Sequence, residues 1–305
     1  MNNPDHTLID RIIGPLTILF GKDMGKYPHG NALHIRGNRH SAIIDPNLGL
    51  VARKPHIPHA DMVIHSHAHE DHVSGSHLYP HAKWYVHQED LPGLRSLDGL
   101  MDIYGFPEPE RSRFAGVVEK DFYFMAREDA IPFEDGWRVD LGGVIIETIH
   151  TPGHTRGHCC FLVEWEGSSE KLVYLGDIEL TGFGPYYGDA WSSLESFESS
   201  LEKLKDIDAH WWLTFHHKGL IESRDRFLEM LNAFQSVIKV REERLLDFLI
   251  EPRNMPEIVQ YRHVYRPGVE GDMYDLIEKR SMTQHLIRLI KEGKVVESEG
   301  IYSLA

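Results

Sequence analysis

Four side chains that can bind a metal ion lie within six positions, directly after a short apolar stretch. The stretch, Met62–Ile64, contains two β-branched residues and predicts a buried strand. His67 and His69 are two positions apart, so they point to the same side of an extended backbone, and Asp71-His72 follows at once. Imidazoles with one carboxylate suit zinc first and iron or manganese next. The segment therefore predicts a divalent metal site at the end of a strand.

A histidine pair alone is a weak signal in this chain, because 21 of its 305 residues are histidine. An isolated His-x-His pair is ordinarily a solvated loop. The full string His67-x-His69-x-Asp71-His72 after a strand is far more specific. It resembles the signature of the metallo-β-lactamase superfamily of hydrolases.

Two further apolar segments end in loops that resemble later motifs of that superfamily. Residues 144–148 (VIIET) lead into residues 151–158 (TPGHTRGH), and the resemblance makes His154 a metal ligand. The resemblance places His158 near the substrate or behind a metal-binding residue, and we predict it as a catalytic candidate. Residues 172–175 (LVYL) lead into Gly176-Asp177, where the resemblance implies a carboxylate that bridges two metals. Without the preceding strand, Gly-Asp would indicate only a turn.

A last predicted strand, residues 211–215, is followed by two candidate ligands in succession, His216 and His217. The family has one final metal histidine at this place. Aligning Gly219 and the strand end favours His216, and His217 stays the alternative. Asp45, in the turn after Ser41–Ile44, resembles an aspartate that supports the site from behind. A turn-capping role is the alternative for it.

The resemblance implies a complete ligand set for two zinc ions, with iron or manganese as alternatives. The ligands are His67, His69 and His154 for one ion, Asp71, His72 and His216 for the other, and Asp177 between them. A water shared by two such ions loses a proton near neutral pH and becomes a hydroxide nucleophile. We predict that Asp71 shuttles its proton. No serine or cysteine nucleophile is required.

The implied fold is an αββα sandwich of the α+β class, and the resemblance covers about residues 10–220. We predict a catalytic domain at residues 1–220 and a mainly helical domain at residues 221–305. The second region has helical patterns at residues 224–249, 255–265 and 273–290, then a hairpin at residues 293–304. It resembles the winged-helix tail of the branch around β-lactamase-like protein 2. A helical cap or a homodimerisation element is the alternative.

The pattern at residues 91–124 indicates short helices and loops, and in this fold the equivalent region overhangs the metal site. Its aromatic side chains line a substrate pocket or belong to the core: Tyr104, Phe106, Phe122, Tyr123 and Phe124. Tyr186 or Tyr187, in a Gly- and Tyr-rich loop after Asp177, is a further candidate for substrate contact.

The composition and the sequence pattern limit the classes of partner that we expect. The net charge of −15 disfavours a general nucleic-acid binder. No apolar run reaches the roughly 18 residues of a membrane span, and the N-terminus lacks the basic-then-apolar order of a signal peptide. Cys159 and Cys160 are neighbours in an apolar run and predict buried thiols. We expect a soluble cytoplasmic protein.

The leading functional hypothesis is a zinc-dependent hydrolase that cleaves an ester, thioester, lactone or amide of a small-molecule substrate. The first alternative is a metal-dependent phosphodiesterase or ribonuclease, with phosphate held by Arg156 or Lys218. The second is a mononuclear iron persulfide dioxygenase, a class in which the second metal position is empty. The complete second ligand set around His72 and His216 argues against that class.

Overall fold

The computed structural model describes residues 10–305, and its first sheet contains seven strands. In chain order and in spatial order they are β1 Arg11–Ile13, β2 Leu16–Leu19, β3 Ala32–Arg36, β4 Ser41–Ile44, β5 Met62–Ile64, β6 Lys83–His87 and β7 Ile131–Phe133. The pairs from β1 to β4 are antiparallel, and those from β4 to β7 are parallel. The predicted strand before the histidine-rich segment is therefore confirmed.

The second sheet contains six strands. They are β8 Arg138–Asp140, β9 Val144–His150, β10 Cys159–Trp165, β11 Lys171–Tyr174, β12 Trp211–Leu213 and β13 Leu220–Ile221. The spatial order is β13-β12-β11-β10-β9-β8, with β11 and β12 parallel and the other neighbours antiparallel. Cys159 and Cys160 at the start of β10 are buried free thiols, as predicted.

The inner faces of the two sheets pack against each other. Ile44 and Ile64 of the first sheet share a buried cluster with Ile146 and Phe161 of the second. Side chains alternate between the two faces along a strand, so the residue before each inward-facing one points outward. Ile43, which precedes Ile44, accordingly belongs to a separate cluster on the outer face.

Helices lie on the outside of both sheets and in the C-terminal region. They are α1 Lys22–Gly25, α2 Leu48–Val51, α3 Glu70–Val73, α4 Leu91–Arg95, α5 Leu97–Tyr104, α6 Glu110–Asp121, α7 Leu194–Lys205, α8 Arg224–Phe248, α9 Met255–Tyr261 and α10 Asp272–Lys291. On the second sheet, Phe197 of α7 and Phe227 of α8 share a buried cluster with Val173 of β11. The predicted αββα sandwich is confirmed. Within the described residues, no helix combines the length and the apolar character that crossing a membrane requires.

The C-terminal region adds a three-stranded antiparallel sheet. Its strands, in the order β14-β16-β15, are β14 Arg253–Asn254, β16 Ile301–Leu304 and β15 Val295–Ser298. The predicted hairpin is thus present. Helix α8 belongs to two cores, because Phe227 and Leu231 pack on the second sheet while Leu245 and Leu249 pack with α10. The domain division at residues 220/221 and the winged-helix classification stay predictions.

One predicted helix is shorter than expected. The pattern at residues 255–265 predicted a helix that extends as far as Tyr265, but α9 ends at Tyr261. Arg262 adopts a left-handed φ of 62°. The buried carboxylate of Glu278 then accepts backbone N–H groups of the next three residues, including Val264 at 2.8 Å and Tyr265 at 3.3 Å. These bonds replace the helical ones, so the segment turns toward α10.

Candidate metal centre

The ligand candidates lie where strands end. The histidine-rich segment follows β5, and His69 is the N-cap of α3. His154 lies between β9 and β10, Asp177 follows β11, and His216 follows β12. Loops converge at strand ends, so residues far apart in sequence meet here. The side chains of the predicted ligands are buried, with Asp177 the most exposed at 12%.

A first cluster joins three imidazoles and one carboxylate. The ligand atoms of His67, His69, His154 and Asp177 all lie within 4.8 Å of one another. His69 Nδ1 is 3.1 Å from His67 Nε2 and 3.0 Å from His154 Nε2. His154 Nε2 is 3.2 Å from Asp177 Oδ2. Three nitrogen donors and one oxygen donor converging in this way suit a tetrahedral zinc ion.

A second cluster lies beside it and shares Asp177. Asp71, His72 and His216 offer ligand atoms within 4.8 Å of one another. His216 Nε2 is 2.9 Å from Asp71 Oδ2, and His72 Nε2 is 2.9 Å from Asp177 Oδ1. One carboxylate oxygen of Asp177 thus faces each cluster. This is the position that a bridging ligand requires.

The donor atoms pass a test of fit for bound ions. Buried polar atoms nearly always have a hydrogen-bond partner, yet Asp71 Oδ2, His72 Nε2 and Asp177 Oδ1 have no well-aligned one. Their 2.9 Å neighbours are other candidate ligand atoms of the same centre. A divalent ion would satisfy them together, which indicates a metal site.

The far side of each ligand imidazole faces an oxygen atom, which fixes the ring and its tautomer. His72 Nδ1 donates to Asp45 Oδ2 at 2.8 Å, and His216 Nδ1 donates to Gly25 O at 2.7 Å. His154 Nδ1 donates to Tyr186 O at 3.2 Å. Asp45 therefore lies directly behind a ligand, in the supporting position that the resemblance implied.

The structure brings His216 and not His217 to the cluster. The His217 side chain is 36% exposed, and its nearest carboxylate is Glu179 at 3.8 Å. Its backbone has a φ of 65°, which turns it away from the direction that His216 takes. Of the two candidates, His216 is the one with ligand geometry.

His158 lies behind Asp177, with both ring nitrogens occupied. Its Nδ1 donates to Thr151 O at 3.1 Å, and its Nε2 accepts the Asp177 N–H at 3.1 Å. Burial lowers the pKa of His158 to about 3, so the ring is neutral and can accept that bond. This geometry favours the second predicted role, support of a ligand, over contact with substrate.

Of the aromatic residues predicted in the region at residues 91–124, mainly Tyr104 contacts the metal centre. The Tyr104 ring stacks on His69 with 4.7 Å between ring centroids, and its hydroxyl donates to Glu70. Phe106 and Phe122 are buried, whereas Tyr123 is exposed. Phe124 packs in the clusters beneath these helices. The core interpretation therefore holds for most of the set.

Sequence reasoning missed Glu179 and Asp189. Glu179 groups with Asp177 and His216 within 4.8 Å, and its position two residues after Asp177 was the available signal. Asp189 Oδ2 lies 3.3 Å from His69 Nε2. No motif marked Asp189, because its approach depends on how its loop folds back.

Asp90, also missed, joins the two loops that carry the first cluster. Its buried carboxylate accepts from Ala68 N at 3.2 Å, Thr155 Oγ1 at 2.6 Å and Gly157 N at 2.8 Å. Ala68 lies between two ligands of one loop, and Thr155 follows the ligand of the other. Asp90 therefore sets the spacing between His69 and His154.

We expect Asp90→Ala to lower the affinity of the first cluster for zinc by about 10–100-fold, the usual effect of removing outer hydrogen bonds from a metal site. Chelator competition measures this affinity. Thr155→Val is the graded control, since it removes one of three bonds and is expected to lose less. Wild-type affinity in Asp90→Ala would contradict the role given to this carboxylate.

Charge is distributed unevenly between the clusters. Burial alone would raise the pKa of Asp177, but His72 and His216 hold it well below its usual range. Burial alone would lower the pKa of His216, but Asp177 and Asp71 raise it to about 10. The pKa of His72 is likewise raised, whereas burial lowers that of His67. In the absence of an ion, His72 and His216 are therefore protonated at neutral pH.

We expect zinc binding at the second cluster to release about two protons at pH 7, because imidazole binds a metal only when it is neutral. The pKa values of His72 and His216 are raised. The protons that compete with zinc for these imidazoles are therefore bound below the raised pKa values and are lost as the pH rises through them. Zinc affinity should therefore increase with pH. Calorimetry in buffers of different ionisation enthalpy counts the protons. Binding that is independent of pH and buffer would refute this charge assignment.

An αββα sandwich with a two-cluster His/Asp centre at its strand ends defines a class of metal-binding protein. Residues 29–233 match the family description "Metallo-beta-lactamase superfamily", and the chain belongs to this superfamily.

Named relatives include several hydrolases. The chain is 36% identical to the probable polyketide biosynthesis zinc-dependent hydrolase BaeB of Bacillus velezensis over 30% of this chain and 38% of BaeB. It is 24% identical to the human acyl-coenzyme A thioesterase MBLAC2 over 51% of this chain and 61% of MBLAC2. These matches span less than two thirds of either relative. It is 23% identical to an atrochrysone carboxyl ACP thioesterase of Pseudocercospora fijiensis over 96% of this chain and 79% of that protein.

A solved structure shows the same fold. A metallo-beta-lactamase family protein from Thermus thermophilus superposes with a TM-score of 0.70 at 22% identity, covering 97% of this chain and all of that chain (100%). The C-terminal region is therefore included in the similarity of fold.

Proposed function

We propose that this protein is a binuclear metal-dependent hydrolase of thioesters. The observation that carries the proposal is the pair of adjacent clusters of buried candidate ligands, with Asp177 between them. Zinc is the proposed metal at both positions, because the donors are imidazoles and carboxylates. BaeB, described as zinc-dependent, supports this choice.

Thioesters are preferred over the other carbonyl substrates because of the relatives' described activities. MBLAC2 is described as an acyl-coenzyme A thioesterase, and the fungal relative as an ACP thioesterase. The latter similarity extends over 96% of this chain. An acyl group activated as a thioester is the chemistry that these two descriptions share.

The residues of the site have distinct roles in the proposed reaction. Bound divalent ions would polarise the thioester carbonyl and lower the pKa of water, which supplies the nucleophile. Asp71 holds its carboxylate between His72 and His216, and these imidazoles lower its pKa against the effect of burial. It is therefore ionised at neutral pH and able to accept a proton from water. Asp45 and His158 keep His72 and Asp177 in place from behind.

The test is a comparison of matched substrates with zinc-loaded protein. An acyl-coenzyme A series and the corresponding N-acetylcysteamine thioesters would be assayed with a thiol reagent. Cys159 and Cys160 are fully buried, so the folded protein adds little background. Oxygen esters, lactones, amides and a phosphodiester with the same acyl or aryl groups complete the panel.

We expect thioester cleavage that disappears on metal removal and returns with zinc. Cleavage of the phosphodiester without any thioester cleavage would replace the proposal with the phosphodiesterase alternative. Elemental analysis of the same sample separates the metals: one iron per chain with oxygen uptake would instead support the persulfide dioxygenase. No cleavage of any substrate by protein holding two zinc ions would refute hydrolysis of these substrate classes.

A further inference from the structure

We propose that Arg280, on the C-terminal helix α10, is a positioning residue for the metal ligand His69. It acts on the backbone at Tyr104 and Gly105, where the segment carrying Tyr104 meets the segment carrying Asp189, and both of these side chains contact the His69 imidazole. This inference rests on the metal centre of the proposed function, but it concerns residues outside every motif in the sequence. It makes the C-terminal region a part of the metal site.

Tyr104 covers one face of the His69 ring. Its own ring lies nearly parallel to the imidazole, with an angle of 19° and a centroid distance of 4.7 Å. The Tyr104 hydroxyl also binds the Glu70 carboxylate and accepts the Glu70 N–H at 3.4 Å. The end of α5 is thus attached to the first turn of α3, beside the ligand.

Asp189 lies against the edge of the same ring. Its Oδ2 atom is 3.3 Å from His69 Nε2, and its other oxygen accepts the Tyr186 hydroxyl at 3.0 Å. His69 Nδ1 faces the nitrogens of His67 and His154 and is the atom available to a metal. When His69 binds a metal through Nδ1, its ring proton is on Nε2, the edge that Asp189 faces. A carboxylate at that edge favours the tautomer that a ligand requires.

Arg280 anchors the backbone segment that carries Tyr104, and this segment is in turn hydrogen-bonded to the one that carries Asp189. Its guanidinium donates to Tyr104 O at 2.6 Å and to Gly105 O at 2.5 Å. Tyr104 O also accepts the Ala190 N–H at 3.3 Å, next to Asp189. These carbonyls end helix α5, where backbone acceptors lack helical partners and a cation is favoured. Without Arg280, both carbonyls of this junction lose a cationic donor.

The junction has no spare room. A Cβ atom at Gly105 would lie 2.4 Å from the Ala190 side chain and 3.0 Å from Arg280 Nη2, and Gly105 has a φ of 62°. The segments around Tyr104 and Asp189 therefore meet at a glycine that the guanidinium covers. A shorter side chain at position 280 would leave two backbone carbonyls without this donor.

The test compares Arg280→Ala and Arg280→Lys with Arg244→Ala as the matched control. Arg244 also donates to two backbone carbonyls, His263 O at 3.2 Å and Arg262 O at 3.1 Å, but these lie within the C-terminal region. Zinc affinity would be measured by chelator competition, and ligand geometry by the visible spectrum of the cobalt-substituted protein. Thermal unfolding of metal-free protein would report general stability.

We expect Arg280→Ala to lose about 10–100-fold in affinity for one of two zinc ions and to show an altered cobalt spectrum. Arg280→Lys should recover part of the affinity, since an ammonium group reaches one carbonyl. Arg244→Ala should keep wild-type affinity and spectrum. If Arg280→Ala does not fold, the smaller loss in Arg280→Lys, at least about threefold, carries the test.

Wild-type affinity and spectrum in both Arg280 variants would overturn the inference, and so would an equal loss in Arg244→Ala. These measurements use no substrate. Wild-type protein that binds two zinc ions but cleaves no thioester would therefore refute the proposed function alone. Wild-type protein that binds no zinc would refute both.

Discussion

Asp71→Asn should reduce thioester turnover by about 10²–10⁴-fold while the protein stays folded, the range typical of losing a general base. The amide keeps the size and one oxygen atom of the carboxylate. It loses the negative charge that faces His72 and His216 and the ability to accept a proton. Asp71 Oδ2 lies 2.9 Å from His216 Nε2, but in zinc-loaded protein that imidazole is neutral and gives its Nε2 lone pair to the metal. In the loaded protein the expected change is therefore in kcat rather than in the unfolding temperature.

The measurement is steady-state kinetics on the best thioester, with zinc content determined on the same sample. Asp98→Asn is the matched control, because its side chain is 94% exposed on α5 and pairs only with Arg111. The zinc content decides how a low activity is interpreted. Low activity with two bound zinc ions supports proton transfer by Asp71, whereas low activity with one zinc ion assigns it to metal binding alone. Near-normal activity would eliminate the proposed mechanism.

Asp45→Ala should cost about 3–5 kcal/mol of unfolding free energy in metal-free protein, as removal of one partner of a buried ion pair does. The Asp45 carboxylate is fully buried and accepts from Ser66 N at 2.7 Å, Ser66 Oγ at 2.5 Å and Tyr174 Oη at 3.0 Å. It also accepts the His72 Nδ1–H at 2.8 Å. Its loss leaves all four donors in the core without this acceptor.

Chemical denaturation of chelator-treated protein measures this effect without the contribution of bound metal. The chain offers a close control in Asp61→Ala, whose carboxylate accepts from Ser41 N at 2.8 Å and Ser41 Oγ at 3.0 Å. The Asp61 side chain is 40% exposed, so water replaces the lost acceptor and about 1 kcal/mol is expected. Equal losses in the two variants would show that the buried position of Asp45 adds nothing.

Local sequence signals were sufficient for the elements that bear the ligands. β5, β9, β11 and β12 are short, apolar and bounded by Gly, Pro or polar clusters, so each was predicted from a few residues. The amphipathic spacing at residues 224–249 predicted α8 equally directly. The end of α9 was predicted wrongly, because the Glu278 carboxylate that ends it lies on another helix.

The sequence by itself determined the chemistry of this protein: which residue types bind a metal, and that they follow strands. Only the tertiary structure decided between His216 and His217, because one φ angle separates their directions. It also revealed Asp90, which bonds a ligand loop 22 positions away, and Arg280, which bonds the end of α5 176 positions away. A sequence motif contains only residues that lie close together in the chain. A buried hydrogen bond depends on which backbones the fold brings into contact, and no local pattern contains that information.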